Sequence, residues 1–258
     1  MVADSIRVAH RSVLTVLVAA TGLVGCSDTR LVQGECRNVY GGNVCTWAEF
    51  AGDALTEVGV TFPVQTARDA PSELSMVWPP EPVAVLDFPE GVEEQTRFTH
   101  FELNWEHRGH QPETFMEPHF DFHFYTIPSD DLETVLCTDP TKPESLPAGY
   151  VLPDAVDLEH GVLTGLCVPA MGMHAMPQAQ LASPDRFTAN MLIGYYGGEV
   201  IFVEPMISRT ALLRGEPFSM EVPRLPALRD AIQYPTHFRA EFDESDGTYR
   251  LVLSGFAS

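Results

Sequence analysis

The feature that most constrains the fold of this chain is a segment in which phenylalanine occupies every second position. Over residues 119–127, histidine and aspartate stand between the phenylalanines. Successive side chains of a β-strand point to opposite faces of its sheet, so this period predicts a strand with one apolar and one polar face. The apolar face carries Phe120, Phe122 and Phe124, and the polar face carries His119, Asp121 and His123. We therefore expect a sheet with one core face and one face of titratable groups.

Other segments with alternating or β-branched residues predict further strands. These strands lie at residues 44–50, 55–62, 97–105, 187–195, 199–206, 235–242 and 248–256. Gly197 and Gly198 separate two of them and supply the positive φ of a tight hairpin. Prolines interrupt residues 76–88, which indicates an edge or broken strand, whereas residues 129–137 and 208–213 predict short helices. We expect a mainly β fold, namely an antiparallel sandwich or barrel-like domain with one or two short helices.

The N-terminus has the order of a bacterial export signal. Arg7 and Arg11 precede an apolar run at residues 13–25, which is shorter than the about 20 residues that a transmembrane helix needs. The run ends in Leu-Val-Gly followed by Cys26, a motif similar to the lipobox of bacterial lipoproteins. That resemblance implies acylation of Cys26 and stable anchoring in a membrane, because each buried methylene contributes about 0.8 kcal/mol. A soluble secreted protein cleaved near the same place is the alternative.

These patterns divide the chain into three parts. Residues 1–25 are the expected lipoprotein signal peptide, residues 26–35 a short lipidated tether, and residues 36–258 a single β-rich domain. Ser27, directly after the cysteine, is similar to the outer-membrane sorting signal of lipoproteins. The expected location is therefore the cell envelope, lipid-anchored on the outer membrane or the periplasmic face.

The chain has a strong formal net charge of -21 at pH 7. A field of this sign opposes binding to nucleic acid and to acidic lipid headgroups, whereas it favours divalent cations and solubility. We therefore expect no nucleic-acid partner, and we expect contact with a membrane only through the lipid on Cys26.

Of the five cysteines, four remain once Cys26 is set aside, and they suit a compartment that permits disulfides. Three pairings are possible. We favour Cys36 with Cys45, which closes a short glycine-containing loop, and Cys137 with Cys167, which closes a longer proline-rich loop. No CxxC spacing occurs in the sequence, so a zinc–thiolate site is disfavoured.

The polar face of the 119–127 strand is the best candidate for chemistry. His119 and His123 stand roughly 13 Å apart in an extended strand, too far to share one ion without a bulge. The expected chelating pair is therefore Asp121 with one of these two histidines, completed by a ligand from elsewhere. The candidates for that ligand are His110, His174 and Glu204.

Imidazole and carboxylate ligands suit Zn²⁺ best, although iron, manganese or copper accept a similar set. Met171, Met173 and Met176 around His174 add a copper alternative, but methionines at such spacing more often fill gaps in a core. The alternative without any metal is a hydrogen-bonded network of histidines and Asp121 that lines a partly buried sheet face.

Several segments of the chain resemble a known family. The segments are residues 104–110, 118–125, 146–150, 171–174, 194–206 and 234–236, in this order. They are similar to motifs of the TTHB-type domain family of exported bacterial proteins, a domain of unknown function. The resemblance covers about residues 42–256 and implies a β-rich domain that forms homo-oligomers, but it implies no reaction. The residues on its motif positions are His110, His119, Asp121, His123, His174 and Glu204. Between Pro112 and Pro118 the chain is shorter than the family pattern.

Three functions follow from these observations. The first is a cell-envelope domain that binds a divalent, zinc-like ion. The second is a metal-assisted hydrolase or lyase in which His119 or Glu204 acts as general base. The third is a non-enzymatic, oligomeric scaffold in which the histidines only connect strands. The sequence contains no G-x-S-x-G elbow, no H-E-x-x-H helix, no phosphate-binding P-loop and no dinucleotide fingerprint.

Overall fold

Antiparallel strands make up most of the protein in a computed structural model. The structure describes residues 29–75, 77, 79–157, 160–182, 187–225 and 233–256. The expected signal peptide, the lipobox and Cys26 lie outside these residues. Within the described ranges, none of the helices has the length and apolar character needed to cross a bilayer.

The strands are short to medium in length and are connected mainly by tight turns and loops. In chain order they are β1 (Thr29–Val39), β2 (Gly42–Ala51), β3 (Ala54–Pro63), β4 (Ala84–Asp87), β5 (His100–Glu106), β6 (His119–Tyr125), β7 (Tyr150–Val151), β8 (Ala155–Asp157), β9 (Gly161–Leu163), β10 (Met173–Pro177), β11 (Ala189–Tyr196), β12 (Glu199–Ser208), β13 (Phe218–Glu221), β14 (His237–Asp243) and β15 (Thr248–Ser254). The α-helices are α1 (Val64–Asp69), α2 (Val92–Thr96), α3 (Gln178–Leu181) and α4 (Arg209–Arg214), and 3-10 helices lie at Glu113–Phe115, Ser129–Thr134 and Thr164–Leu166.

Two large sheets and one small sheet contain the described strands. The first sheet has the order β1-β2-β3-β15-β14-β13, the second β4-β5-β6-β12-β11-β10-β7, and the third consists of β8 and β9. Neighbouring strands are antiparallel throughout, and neither large sheet closes into a barrel. The expectation of a mainly β antiparallel sandwich is therefore confirmed, and the barrel-like alternative is not found. Short helices are more numerous than the one or two expected.

The main core lies between the two large sheets. The ring of Phe62 on β3 packs edge-on against Phe120 and Phe122 on β6, with centroid distances of 5.1 and 5.3 Å. Edge-to-face aromatic pairs of this kind add about 0.5–1.5 kcal/mol beyond the area they bury. The apolar face predicted for β6 is therefore the core face.

The opposite face of the second sheet is also buried, which the sequence pattern did not predict. Phe115 and Leu166, from two loop segments, pack onto Met176, Leu192 and Met206 of the sheet to form a second apolar cluster. Every residue of β6 is buried as a result. The titratable residues on this face therefore lie between a sheet and a cover of loops.

Two disulfides pair the cysteines as favoured. Cys36 and Cys45 join β1 to β2, with their Cα atoms 4.1 Å apart. Cys137 and Cys167 join the loop after the Ser129–Thr134 helix to the segment that leads into β10, with a Cα separation of 5.8 Å. The second disulfide therefore fastens the loop cover of the second sheet.

Two predicted boundaries differ in the structure. Residues 29–35, expected in the tether, form the first part of β1, where Thr29 pairs with Ala51 of β2. The strand expected within residues 76–88 is reduced to β4, which is an edge strand, because prolines cannot donate to a ladder and leave little paired backbone before Ala84.

Candidate metal centre

The covered face of the second sheet gathers all six residues that the sequence suggested as ligands. They form two groups of three, and within each group the ligand atoms lie within 4.8 Å of one another. The inner group is His123, His174 and Glu204, and the outer group is His110, His119 and Asp121. The separation of His119 from His123 into different groups agrees with the distance argument from the strand rise. Asp121 shares its group with His119, whereas His123 shares its group with Glu204.

The residues of the inner group are all buried. Nε2 of His123 lies 3.8 Å from Oε1 of Glu204, and each side chain is 1% exposed. His123 is on β6 and Glu204 on the adjacent strand β12, whereas His174 is on β10. Glu204 is therefore an inward-pointing carboxyl, a choice that the sequence left open.

A glycine on the intervening strand β11 lets the inner group form. Gly194 pairs with Phe202 on one side and with His174 on the other. A Cβ atom at Gly194 would lie 2.1 Å from the Phe202 ring, so only glycine admits that ring above β11. The Phe202 ring then contacts both His123 and His174, with centroid distances of 4.8 and 5.2 Å. Phe202 therefore packs against both imidazoles of the inner group.

The outer group lies nearer to solvent. Nε2 of His119 is 3.3 Å from Oδ1 of Asp121, and Nε2 of His110 is 4.0 Å from Oδ2 of the same carboxyl. The side chain of His110 is 38% exposed, whereas those of His119 and Asp121 are buried. Asp121 therefore sits between two imidazoles that approach its two oxygens separately.

The loop that carries His110 depends on another glycine. Gly109 has φ +70°, and a Cβ atom there would meet the carbonyl oxygen of Phe115 at 2.1 Å. The loop returns on itself at this point, since the His110 amide donates to the same Phe115 oxygen at 3.3 Å. Position 109 therefore requires glycine, because glycine adopts the left-handed conformation readily and has no side chain to clash. The loop can then place the His110 imidazole over Asp121.

Three of the histidines use the same ring nitrogen, Nδ1, for a hydrogen bond to a backbone carbonyl. Nδ1 of His119 donates to the Glu117 carbonyl at 2.6 Å, Nδ1 of His174 to the Leu166 carbonyl at 2.9 Å, and Nδ1 of His110 to the Gln111 carbonyl at 2.7 Å. A carbonyl oxygen only accepts, so the proton is on Nδ1 and Nε2 keeps its lone pair. Histidines that ligate metals show this arrangement.

Several buried atoms of the two groups have no hydrogen-bond partner among the described residues. They are Nε2 of His119, Oδ1 of Asp121, Nδ1 and Nε2 of His123, and Oε2 of Glu204. Each buried polar atom left without a partner costs about 1–3 kcal/mol. Tetrahedral ligands at 2.0–2.1 Å from an ion stand about 3.3 Å apart. The observed contacts of 3.3–4.0 Å are close to that spacing.

Burial dominates the protonation of both groups. It raises the pKa of Asp121 well above the usual range, and the carboxylates of Glu204 and Glu106 raise it further. Burial, and then the charge of Glu106, also raise the pKa of Glu204 well above its usual range. Burial lowers the pKa values of His119 and His123 well below 6.5 and that of His174 to about 4. The imidazoles of His119, His123 and His174 are therefore neutral at pH 7, the form that ligates metals.

The adjacent strand β5 adds polar residues that the sequence reasoning missed. Glu102 pairs with His123, Asn104 with Asp121, and Glu106 with His119. Within β5 histidine, glutamate and asparagine alternate with Phe101, Leu103 and Trp105. The same period-2 test that identified β6 could therefore have found them. Glu106 is the important addition, because it raises the pKa values of carboxyls in both groups.

A cavity of about 390 Å³ lies above the two groups. Its polar lining includes His110, Asp121, His123, His174 and Glu204. Leu163 and Leu166, from β9 and the segment after it, contribute to an apolar wall. An ion held by three protein ligands would therefore have an open position toward a space large enough for a small molecule.

Comparison with known proteins adds no identity. No family model matches the chain, and neither a curated protein nor a solved structure matches it. The resemblance to the TTHB-type family therefore stays a prediction. The functional argument depends on the geometry of the two groups.

Proposed function

We propose that this protein is a divalent-metal-binding domain of the cell envelope that holds zinc-like ions in the inner and outer groups. The observation that carries the proposal is the inner group, in which three buried ligand atoms converge within 4.8 Å. Two imidazole nitrogens and one carboxylate form a common zinc ligand set with one position left open. His123 lacks a hydrogen-bond partner at both ring nitrogens among the described residues, and an ion would satisfy one of these nitrogens by coordination.

The chemistry of the donors favours zinc over softer ions. The four described cysteines are joined in disulfides, so they offer no thiolate. Of the three methionines that suggested copper, Met173 packs in the main core, and Met176 and Met171 pack in the two smaller apolar clusters. Nitrogen and oxygen donors therefore remain, and a set of imidazoles and a carboxylate suits Zn²⁺.

Elemental analysis by mass spectrometry tests the proposal. The protein is purified without a metal-affinity column, beside a His123→Ala, His174→Ala double variant. A His237→Gln variant is the matched control, because His237 is exposed and belongs to neither group. We expect near-stoichiometric metal in the parent and the control and a clear loss in the double variant. Metal-free parent protein that is fully folded would sink the proposal and favour a structural histidine network.

The export and lipid anchor are a second part of the proposal. The lipobox-like motif at Cys26 supports it, and so do two disulfides, because disulfides persist in oxidising compartments. Cell fractionation of the parent and a Cys26→Ala variant tests it. We expect the parent in the membrane fraction and the variant in the soluble fraction, whereas equal distribution contradicts the anchor.

A metal-assisted hydrolase is the second candidate function, and one observation favours it. Glu106 lines the cavity but belongs to neither ligand group, so its carboxylate is free to act as a general base on a water ligand. His119 and Glu204, the bases expected from the sequence, are each in a ligand group instead. Ester hydrolysis by zinc-loaded parent, lost in Glu106→Gln with metal content unchanged, would establish this function.

A further inference from the structure

The cavity above the ligand groups has two unlike sides. Its floor, on the second sheet, includes the ion-binding residues, and its opposite wall includes apolar side chains from β8, β9 and the segment before β10. The apolar residues of that wall are Val156, Leu163, Leu166 and Met171, whereas Met176 on β10 and Leu192 on β11 belong to the floor. Contact between this apolar wall and another apolar surface is more favourable than contact between the wall and water. The wall therefore indicates a ligand with an apolar body.

The charged residues around the cavity limit the charge that the head group of the ligand can carry. Glu106 lines the floor without belonging to a ligand group, so a polyanion meets repulsion there. Arg108 is the one lysine or arginine among the described residues of the lining, and it is exposed at the border of the cavity. A single negative charge that ligates an ion and faces Arg108 is the head group that this arrangement accepts.

We propose that the cavity binds small organic monocarboxylic acids, with the carboxylate on the ion of the inner group and the apolar body against the wall. This inference rests on the proposed metal-binding function. A cavity of about 390 Å³ is within the range of about 300–1,000 Å³ that small-molecule sites occupy. The three-ligand inner group supplies the open position for the carboxylate oxygen.

A chain-length series tests the inference on Co²⁺-loaded protein, whose visible absorption changes when the ion gains a new ligand. Acetate, propionate, butyrate, pentanoate and hexanoate are titrated separately. We expect the dissociation constant to fall about fourfold per added methylene until the cavity is filled, because burying a methylene contributes about 0.8 kcal/mol. Equal dissociation constants across the series would overturn the inference.

Two neighbouring residues of β9 give a matched pair of variants. Leu163 lines the cavity, whereas Val162 is 68% exposed and does not. Leu163→Asn should abolish the dependence on chain length while acetate still binds. Val162→Asn should leave the whole series unchanged. Loss of the dependence in both variants, or in neither, contradicts a ligand body at this wall.

Metal content measured on the same samples separates the two proposals. If Co²⁺ is bound at the stoichiometry of the parent and the series is flat, the organic-acid inference fails and the metal-binding function stands. If the protein takes up no ion at all, the metal-binding function fails, and the inference fails with it.

Discussion

Nε2 of His123 and Oε1 of Glu204 lie 3.8 Å apart on adjacent strands, and both side chains are 1% exposed. Burial of a carboxylate is expensive unless the charge is paired. A neutral imidazole at this distance does not pair it, since burial lowers the pKa of His123 well below 6.5. Either a proton or a cation must therefore neutralise Glu204, and the two alternatives exclude each other.

Replacing Glu204 with glutamine should separate metal binding from folding. Glu204→Gln keeps the shape of a protonated carboxyl, so we expect the free energy of unfolding without metal to change by about 1 kcal/mol or less. Zinc affinity at the inner group should fall on the order of 100-fold or more. Losing a residue that only hydrogen-bonds to a metal ligand costs about 10–100-fold, and Glu204 is itself a ligand in the proposed site. Glu199→Gln, on the exposed start of β12, is the control. Calorimetric titration with Zn²⁺ measures the affinities, and equal values in all three proteins would contradict the inner group.

Zinc binding at pH 7 should release protons, and the carboxyls should be their source. Because burial raises the pKa values of Asp121 and Glu204, these groups hold their protons to a higher pH in the metal-free protein than ordinary carboxyls do. The lowered pKa values of His119, His123 and His174 mean that these three imidazoles are not the source of the protons. We expect on the order of one proton per ion, measured by calorimetry in buffers of different ionisation enthalpy. Glu204→Gln should reduce the release, and the same release in that variant would point to another source.

The carboxyls of the two groups should cost the metal-free protein stability as the pH rises above about 6.5, where the histidine contribution no longer changes. A carboxyl with a raised folded pKa holds its proton more tightly when folded, so its contribution is complete below the unfolded value of about 4. That contribution is lost as the pH rises through the raised pKa of Asp121 or Glu204. The lowered histidine pKa values act in the opposite direction, with stability lost as the pH falls below about 6.5. Denaturant unfolding of Asp121→Asn, Glu204→Gln protein should isolate the histidine part, and an unchanged pH profile would contradict the assignment.

The period-2 pattern predicted the part of the site that depends on local backbone geometry. It assigned His119, Asp121 and His123 to one face of β6, and the strand rise kept the two histidines in separate groups. The contact between His123 and Glu204 could not be predicted, because it depends on the register of β12 against β6. Register comes from the packing of the whole sheet, and a single strand does not encode it.

Burial of the polar face was also beyond the sequence pattern. An alternating strand indicates one buried and one solvent-exposed face. In this protein Phe115 and Leu166, from segments distant in sequence, cover the face that was expected to be exposed. Loop paths depend on tertiary contacts and, in this chain, on the disulfide at Cys137 and Cys167. The hairpin at Gly197 and Gly198 was predictable, since its turn is encoded locally.

Adding one methyl group at Gly194 should disrupt the inner group. In Gly194→Ala the new Cβ atom meets the Phe202 ring at 2.1 Å, which displaces the ring that contacts His123 and His174. We expect a loss of about 1–3 kcal/mol in the free energy of unfolding, the usual cost of overpacking a core. Zinc affinity should fall as well. A second change, Phe202→Leu, makes room for the methyl group and should restore part of the stability in urea unfolding; no recovery would show that the clash lies elsewhere.

Removing the Cys137–Cys167 disulfide should weaken the inner group without touching a ligand. Cys167 directly follows Leu166, whose carbonyl oxygen accepts the 2.9 Å hydrogen bond from Nδ1 of His174. If the Leu166 carbonyl is less firmly positioned, the His174 ring is freer to rotate. We therefore expect zinc affinity to fall about 10-fold or more, as when other hydrogen-bond partners of metal ligands are lost. The Cys36–Cys45 disulfide joins β1 to β2 in the other sheet, so its double serine variant should bind zinc like the parent. Competition titration with a zinc chelator compares the two variants, and an equal loss in both would mean that the effect is one of overall stability.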